Sequence, residues 1–134
     1  MPEETTELTE AEWTVIKSVW DNEPCTAPTI QEKLFRSTQW TYSTVRTLMD
    51  RMVGKGILRA AKDKNVTLYH SKLTREQAQR GELRYALKHA FDGALTPLVQ
   101  CLLDTKEVSP LELEQIKQLI AAHEKTRGKT GRKA

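Results

Sequence analysis

Apolar residues recur along this chain at helical spacing in six stretches, interrupted once by a segment in which they alternate with polar ones. The most informative stretch runs from Trp40 to Gly56, W-T-Y-S-T-V-R-T-L-M-D-R-M-V-G-K-G. Val45, Leu48, Met49, Met52 and Val53 stand at i, i+3, i+4, i+7 and i+8, the spacing that lines one stripe of an α-helix and predicts a buried face. Ser43, Thr44, Arg46, Thr47, Asp50 and Arg51 occupy the other side, where hydrogen-bonding groups and two cationic forks have no use for a core. Thr41 is placed to cap the free N–H groups of the first turn, and Gly56 to take the left-handed conformation that ends a helix.

Upstream, Thr9 and Glu12 form a capping box that opens a first helix with Trp13, Ile16, Val19 and Trp20 as its stripe, ending near Asn22–Pro24. Thr26 with Pro28 opens a second helix in which Ile30, Leu34 and Phe35 are expected to point inward. Ser37-Thr38-Gln39 makes the turn into the organising helix. Two helices joined by a tight polar turn, the second with an exposed polar face, form a helix-turn-helix. After Gly56 the pattern alternates: residues 57–62 and 66–71 flank the tip Asp63-Lys64-Asn65 and predict a basic β-hairpin. A helix-turn-helix followed at once by such a hairpin is a winged helix, with the hairpin as its wing.

From the capping pair Thr74 and Gln77 onward the pattern is helical throughout. Leu83, Ala86, Leu87, Ala90 and Phe91 give one stripe, broken by Asp92-Gly93. Leu95, Leu98, Val99, Leu102 and Leu103 give a second, with Pro97 in its first turn. Ser109-Pro110-Leu111-Glu112 opens a third, carried by Leu113, Ile116, Leu119 and Ile120. About fifty residues cannot bury three such stripes alone, so the surplus apolar surface is expected to pair with a second copy. The expected fold is mainly α with a small β-hairpin wing. Its expected parts are a winged helix-turn-helix DNA-binding domain (1–74), a three-helix dimerisation domain (75–126) and a basic disordered tail (127–134). Leu83, Leu87, Phe91, Leu95, Leu98, Leu102, Ile116 and Leu119 are the candidate dimer contacts.

Charge sharpens this picture. The 134 residues carry a net charge of +3, unevenly distributed. Residues 1–32 hold one Lys against eight acidic groups, whereas residues 33–75 hold ten Lys or Arg against two Asp. A basic block around a polar-faced helix is the electrostatic footprint of a nucleic-acid binder. Arg46 is the candidate for a bidentate contact to guanine; Ser43, Thr44 and Thr47 suit base edges or nearby phosphates. Arg51, Lys55, Arg59, Lys62 and Lys64 are expected on the phosphate backbone, and Asp50, which would repel phosphate, is expected to pair with Arg46 or Arg51 or to lie off the contact surface. A protein-interaction winged helix that never touches DNA is the rival reading, which the basic block disfavours. An enzyme is not expected, since His70, His89 and His123 are too far apart for a ligand motif and no Ser or Cys sits in a nucleophile context. Cys25 and Cys101 share no metal or disulfide spacing, so neither metal nor cofactor is expected. No apolar run approaches the roughly 20 residues that span a bilayer, and the acidic start lacks a secretory layout, so a cytoplasmic protein without membrane insertion is expected.

Two segments carry a family resemblance over about Leu8–Glu124: Leu8-Thr9-Glu10-Ala11-Glu12-Trp13 with Trp20 downstream, and Trp40-Thr41-Tyr42-Ser43-Thr44-Val45-Arg46-Thr47-Leu48 leading to Gly54-Lys55-Gly56. The chain resembles the penicillinase-repressor family (BlaI/MecI/CopY type) of winged-helix transcriptional repressors. The resemblance implies a homodimer on palindromic double-stranded operator DNA, the organising helix in the major groove and the C-terminal helices joining the two copies. The copper-responsive branch ends in closely spaced cysteines, which this tail lacks. The β-lactam-responsive branch is inactivated by cleavage between Asn and Phe in its second C-terminal helix. The matching bond here is Cys101–Leu102, so a membrane sensor-peptidase or another protease is the partner that the resemblance implies.

Overall fold

The computed structural model describes residues 7–130 and forms two compact units, Met1–Ala86 and Leu87–Ala134. The first contains α1 (Glu10–Asn22), α2 (Ala27–Thr38), α3 (Tyr42–Gly54), β1 (Leu58–Asp63), β2 (Val66–Ser71) and most of α4 (Arg75–Ala90). α1 starts at the expected capping box: the Thr9 hydroxyl accepts from the Glu12 N–H at 3.1 Å and the Glu12 carboxylate from the Thr9 N–H at 2.9 Å. Thr26 caps α2, whose first turn contains Pro28, and Gln39 ends the helix in the left-handed region. α3 begins at the Thr41 cap, and Gly56 with a φ of 83° turns the chain toward the hairpin.

The core is the meeting of these apolar stripes. Val15, Ile16 and Val19 of α1, Ile30 of α2, and Val45, Met49 and Met52 of α3 are fully buried beside Ile57, Leu58 and Tyr69. Leu34, Leu48 and Val53 pack at its edge. Each such aliphatic side chain stabilises the fold by roughly 1.5–3 kcal/mol relative to exposure. Phe35, expected inward, is exposed. Ala27, Ile30 and Leu34 share the inward stripe, and Phe35 lies about 100° further round at 3.6 residues per turn.

β1 and β2 are antiparallel, with Leu58 opposite Ser71 and Asp63 opposite Val66. The tip is shorter than expected. Asp63 is the last residue of β1, and only Lys64 and Asn65 turn the chain, both at positive φ, the pattern of a two-residue type I′ turn whose twist matches the strands it joins. The hairpin is tied down at its base. Tyr69 exchanges two backbone hydrogen bonds with Cys25, at 2.7 and 3.2 Å, so the α1–α2 connection acts as a one-residue third strand. The Trp20 indole N–H donates to Ser71 and to the Leu73 carbonyl, and the Ser71 N–H donates to Glu23.

The expected boundary between residues 74 and 75 falls inside the first unit. α4 opens on the Thr74–Gln77 capping pair, but Ala78 joins the core cluster and Gly81 is buried. Arg75 stacks over Trp20 with its guanidinium carbon 4.7 Å from the ring centroid, and the Trp13 indole donates to Glu82. The first turns of α4 therefore belong with the winged helix.

In the second unit α4 ends at Asp92-Gly93, both at positive φ, where the Gly93 N–H closes on the Leu87 carbonyl. α5 (Leu95–Asp104) and α6 (Pro110–Thr130) follow, the latter capped by Ser109 on the Glu112 N–H. α6 takes in the first four residues of the stretch 127–134 expected to be disordered; 131–134 lie outside the described residues. Leu87, Phe91, Leu98 and Ile116 are half-buried. Leu83, which belongs to the first unit, and Leu95, Leu102 and Leu119 are exposed, and among the described residues neither α5 nor α6 has a buried one. Among the described residues no helix is long and apolar enough to cross a membrane.

Candidate nucleic-acid interface

The polar side of α3 divides into two stripes. Ser43, Thr44, Thr47 and Arg51 share one, lining with Trp40, Leu48 and Ala11 a shallow concavity of about 450 Å³. All four polar groups are exposed. Tyr42, Arg46 and Asp50 form the second stripe, spaced four apart, which brings them together one turn after another. The Arg46 Nε donates to Asp50 Oδ2 at 3.0 Å and its Nη1 to the Tyr42 hydroxyl at 3.1 Å. The hydrogen bond to Tyr42, followed by the charges and acceptors around it, Asp50 included, holds the Arg46 guanidinium well above its ordinary range, so it is always cationic.

Asp50 therefore pairs with Arg46, one of the arrangements the sequence allows, and gains a partner that the sequence does not announce. The hydroxyl of Tyr69, on the wing, donates to Asp50 Oδ1 at 2.9 Å. Burial, and then that hydrogen bond, push this hydroxyl up to about 12, so it remains a donor throughout the physiological range. A second groove, of about 510 Å³, lies between helix and wing, lined by Tyr42, Arg46, Lys62, Thr67 and Tyr69 with the start of α2.

The strand register sorts the wing cations. Side chains alternate between faces along a strand, so Lys62, opposite Thr67, shares the face of Tyr69, whereas Arg59, opposite His70, is on the other. Lys62 thus joins Arg46 at the groove, Lys64 stands exposed at the turn, and Arg59 is separated from both. Lys55, expected on the phosphate backbone, is engaged within the fold: its ammonium is 2.6 Å from Glu12, whose side chain is only 3 % exposed. Burial alone would raise the Glu12 carboxyl, but the hydrogen bond and charge of Lys55 and the bonds from Thr9 outweigh it and lower it. Lys55 anchors the end of α3 to the start of α1. Among the described residues no three His, Cys, Asp or Glu converge in a way that could hold a metal ion.

The family model described as penicillinase repressor matches residues 8–122. The chain belongs to the penicillinase-repressor family. Methicillin resistance regulatory protein MecI of Staphylococcus aureus (strain N315) is 24% identical over 120 residues, covering 90% of this chain and 98% of MecI. The penicillinase repressor of Bacillus licheniformis is 21% identical over 117 residues, covering 87% of this chain and 91% of that protein. Among solved structures, the solution structure of the DNA-binding domain of the repressor BlaI shares 22% identity at a TM-score of 0.49, covering 55% of this chain and 89% of that one. These family relatives are named as repressors and regulators, and the alignment takes in both α3 and the C-terminal helices of this chain.

Proposed function

We propose that this protein is a transcriptional repressor that binds a palindromic operator as a homodimer, with α3 in the major groove and the hairpin along the phosphate backbone. The observation that carries the reading is α3 itself: a helix buried on one face against a core, with Ser43, Thr44, Arg46, Thr47 and Arg51 on its free side next to a wing bearing Lys62 and Lys64. Affinity would come mostly from cations on phosphates, and sequence would be read by the side chains that reach base edges. Family membership supports repression as the outcome of binding.

Dimerisation is supported by the apolar residues that α5 and α6 leave uncovered, such as Leu95, Val99, Leu102, Leu119 and Ile120. A second copy would bury them and hold two reading heads at fixed spacing, which raises operator affinity without any new base contact. Release from DNA would follow cleavage of α5 at Cys101–Leu102 by a sensor-peptidase or other protease. The experiment that tests DNA as the partner is a mobility-shift titration of the full chain on its own promoter DNA at several salt concentrations. Binding is expected to weaken steeply with salt, with a log–log slope of about −0.9 for each phosphate neutralised. A flat response would overturn the reading.

A further inference from the structure

The contacts around Arg46 extend the reading of α3 from which residues meet DNA to what aims them. A guanidinium offers five N–H donors. In this structure Nε is engaged by Asp50 and one hydrogen of Nη1 by Tyr42. Nη2 and one Nη1 hydrogen remain; with Tyr42 on the Cδ side of Nη1, opposite the flank held by Asp50, these form the adjacent pair that matches guanine O6 and N7. Tyr42 and Asp50 lie one turn to either side, so the fork is held from both flanks.

An exposed Arg–Asp pair on a helix surface is weak and loosely ordered, because two long side chains must be fixed in water. Asp50, with its side chain 52% exposed, would not by itself hold Arg46 in one place. Tyr69 changes that. Its residue is fully buried, its backbone is bonded in both directions to Cys25, and its hydroxyl reaches the second oxygen of Asp50. A group fixed in the core thus fixes a carboxylate at the surface, which fixes the cation.

We propose that Asp50 and Tyr69 are positioning residues for base recognition: Tyr69, from the wing strand, locks Asp50, and Asp50 sets the direction of the Arg46 fork and keeps it from settling on a phosphate. The inference rests on Arg46 being a base contact. Its consequence is that sequence preference at one base pair per half-site is determined in part by a residue that never touches DNA.

The test uses the full chain and an operator selected by the wild type from a random duplex library. Affinity is measured for that duplex, for variants of it changed at single base pairs, and for an unrelated duplex of equal length. Tyr69→Phe removes only the hydroxyl. It is expected to lower discrimination at one base pair about three- to tenfold, the usual net size of losing one intramolecular hydrogen bond, with affinity for the unrelated duplex within twofold of wild type. Asp50→Asn is expected to lower the same discrimination while tightening binding to the unrelated duplex. In an Arg46→Ala background neither substitution should change discrimination further. Equal losses on all duplexes, or discrimination unchanged in both variants while Arg46→Ala abolishes it, would overturn the proposal and leave Arg46 as a reader. If Arg46→Ala itself preserves base preference, the assignment of Arg46 falls, and the positioning role with it. Asp50 is at the surface, so Asp50→Asn decides the matter even if Tyr69→Phe fails to fold.

Discussion

Glu12 illustrates how much can rest on one buried carboxylate. It closes the cap of α1 and binds Lys55 at the end of α3. Because the folded chain holds its proton less tightly than the unfolded chain does, the stabilisation is present at neutral pH and is lost as pH falls from about 4.5 through the lower folded value. The melting temperature of the wild type should accordingly fall more steeply below pH 4.5 than that of Glu12→Gln, which calorimetry across pH 3–7 would read. Parallel profiles would remove Glu12 from the account. Gly56 makes a different demand. Nothing lies within 4 Å of where its Cβ would be, but its φ is +83°, so Gly56→Ala should cost about 1–2 kcal/mol from backbone strain alone, measurable by urea denaturation.

At the scale of elements, α3 and the hairpin are expected to have separable roles. Lys64 at the tip is expected on phosphate, so Lys64→Ala should weaken operator and unrelated DNA to the same extent and reduce the salt slope by about one phosphate. A selective loss on the operator would give the wing a part in reading sequence. α5 presents Leu95, Val99, Leu102 and Leu103 without a buried residue among them. If those residues join two copies, each buried Leu contributes roughly 1.5–3 kcal/mol, and Leu102→Asp should convert a dimer to a monomer in analytical ultracentrifugation. A wild-type monomer at micromolar concentration would refute the dimer.

For the whole molecule, the proposed repression and the proposed release would depend on the same helices. One winged helix makes about half the phosphate contacts of a pair, so severing α5 is expected to lower operator affinity through loss of dimerisation rather than damage to α3. Cys101 and Leu102 are exposed in the single chain but would be covered in a dimer, so cleavage is expected to follow local opening or dissociation. Mass spectrometry of the protein recovered from induced cells should find fragments ending at Cys101 and beginning at Leu102. Only intact chain, with the target genes on, would point to a ligand or another partner.

Much of this molecule was legible in its sequence. Helical periodicity located the six helices among the described residues, because burial of one stripe demands it, and local capping chemistry at Thr9, Thr26, Thr41, Thr74 and Ser109 located the starts of five of them to within a residue or so. The polar side of α3 and the basic block around it were equally plain, since neither depends on what the chain packs against. What the sequence could not determine is which polar groups are already engaged. Lys55 and Arg51 look alike in a list of cations and both are exposed, yet Lys55 is paired with a buried Glu12 43 positions away. Tyr69 reads only as a residue of the second hairpin strand, and it is the tertiary fold that brings its hydroxyl to Asp50. The boundary after Thr74 had the same origin: the cap marks where α4 begins, while the contacts of Ala78, Arg75 and Glu82 with the core and with α1 decide to which unit its first turns belong. Spacing along the chain specifies local structure because those forces act over a few residues. Partners distant in sequence are chosen by the tertiary fold, as where the Tyr69 hydroxyl meets the Asp50 carboxylate that pairs with Arg46.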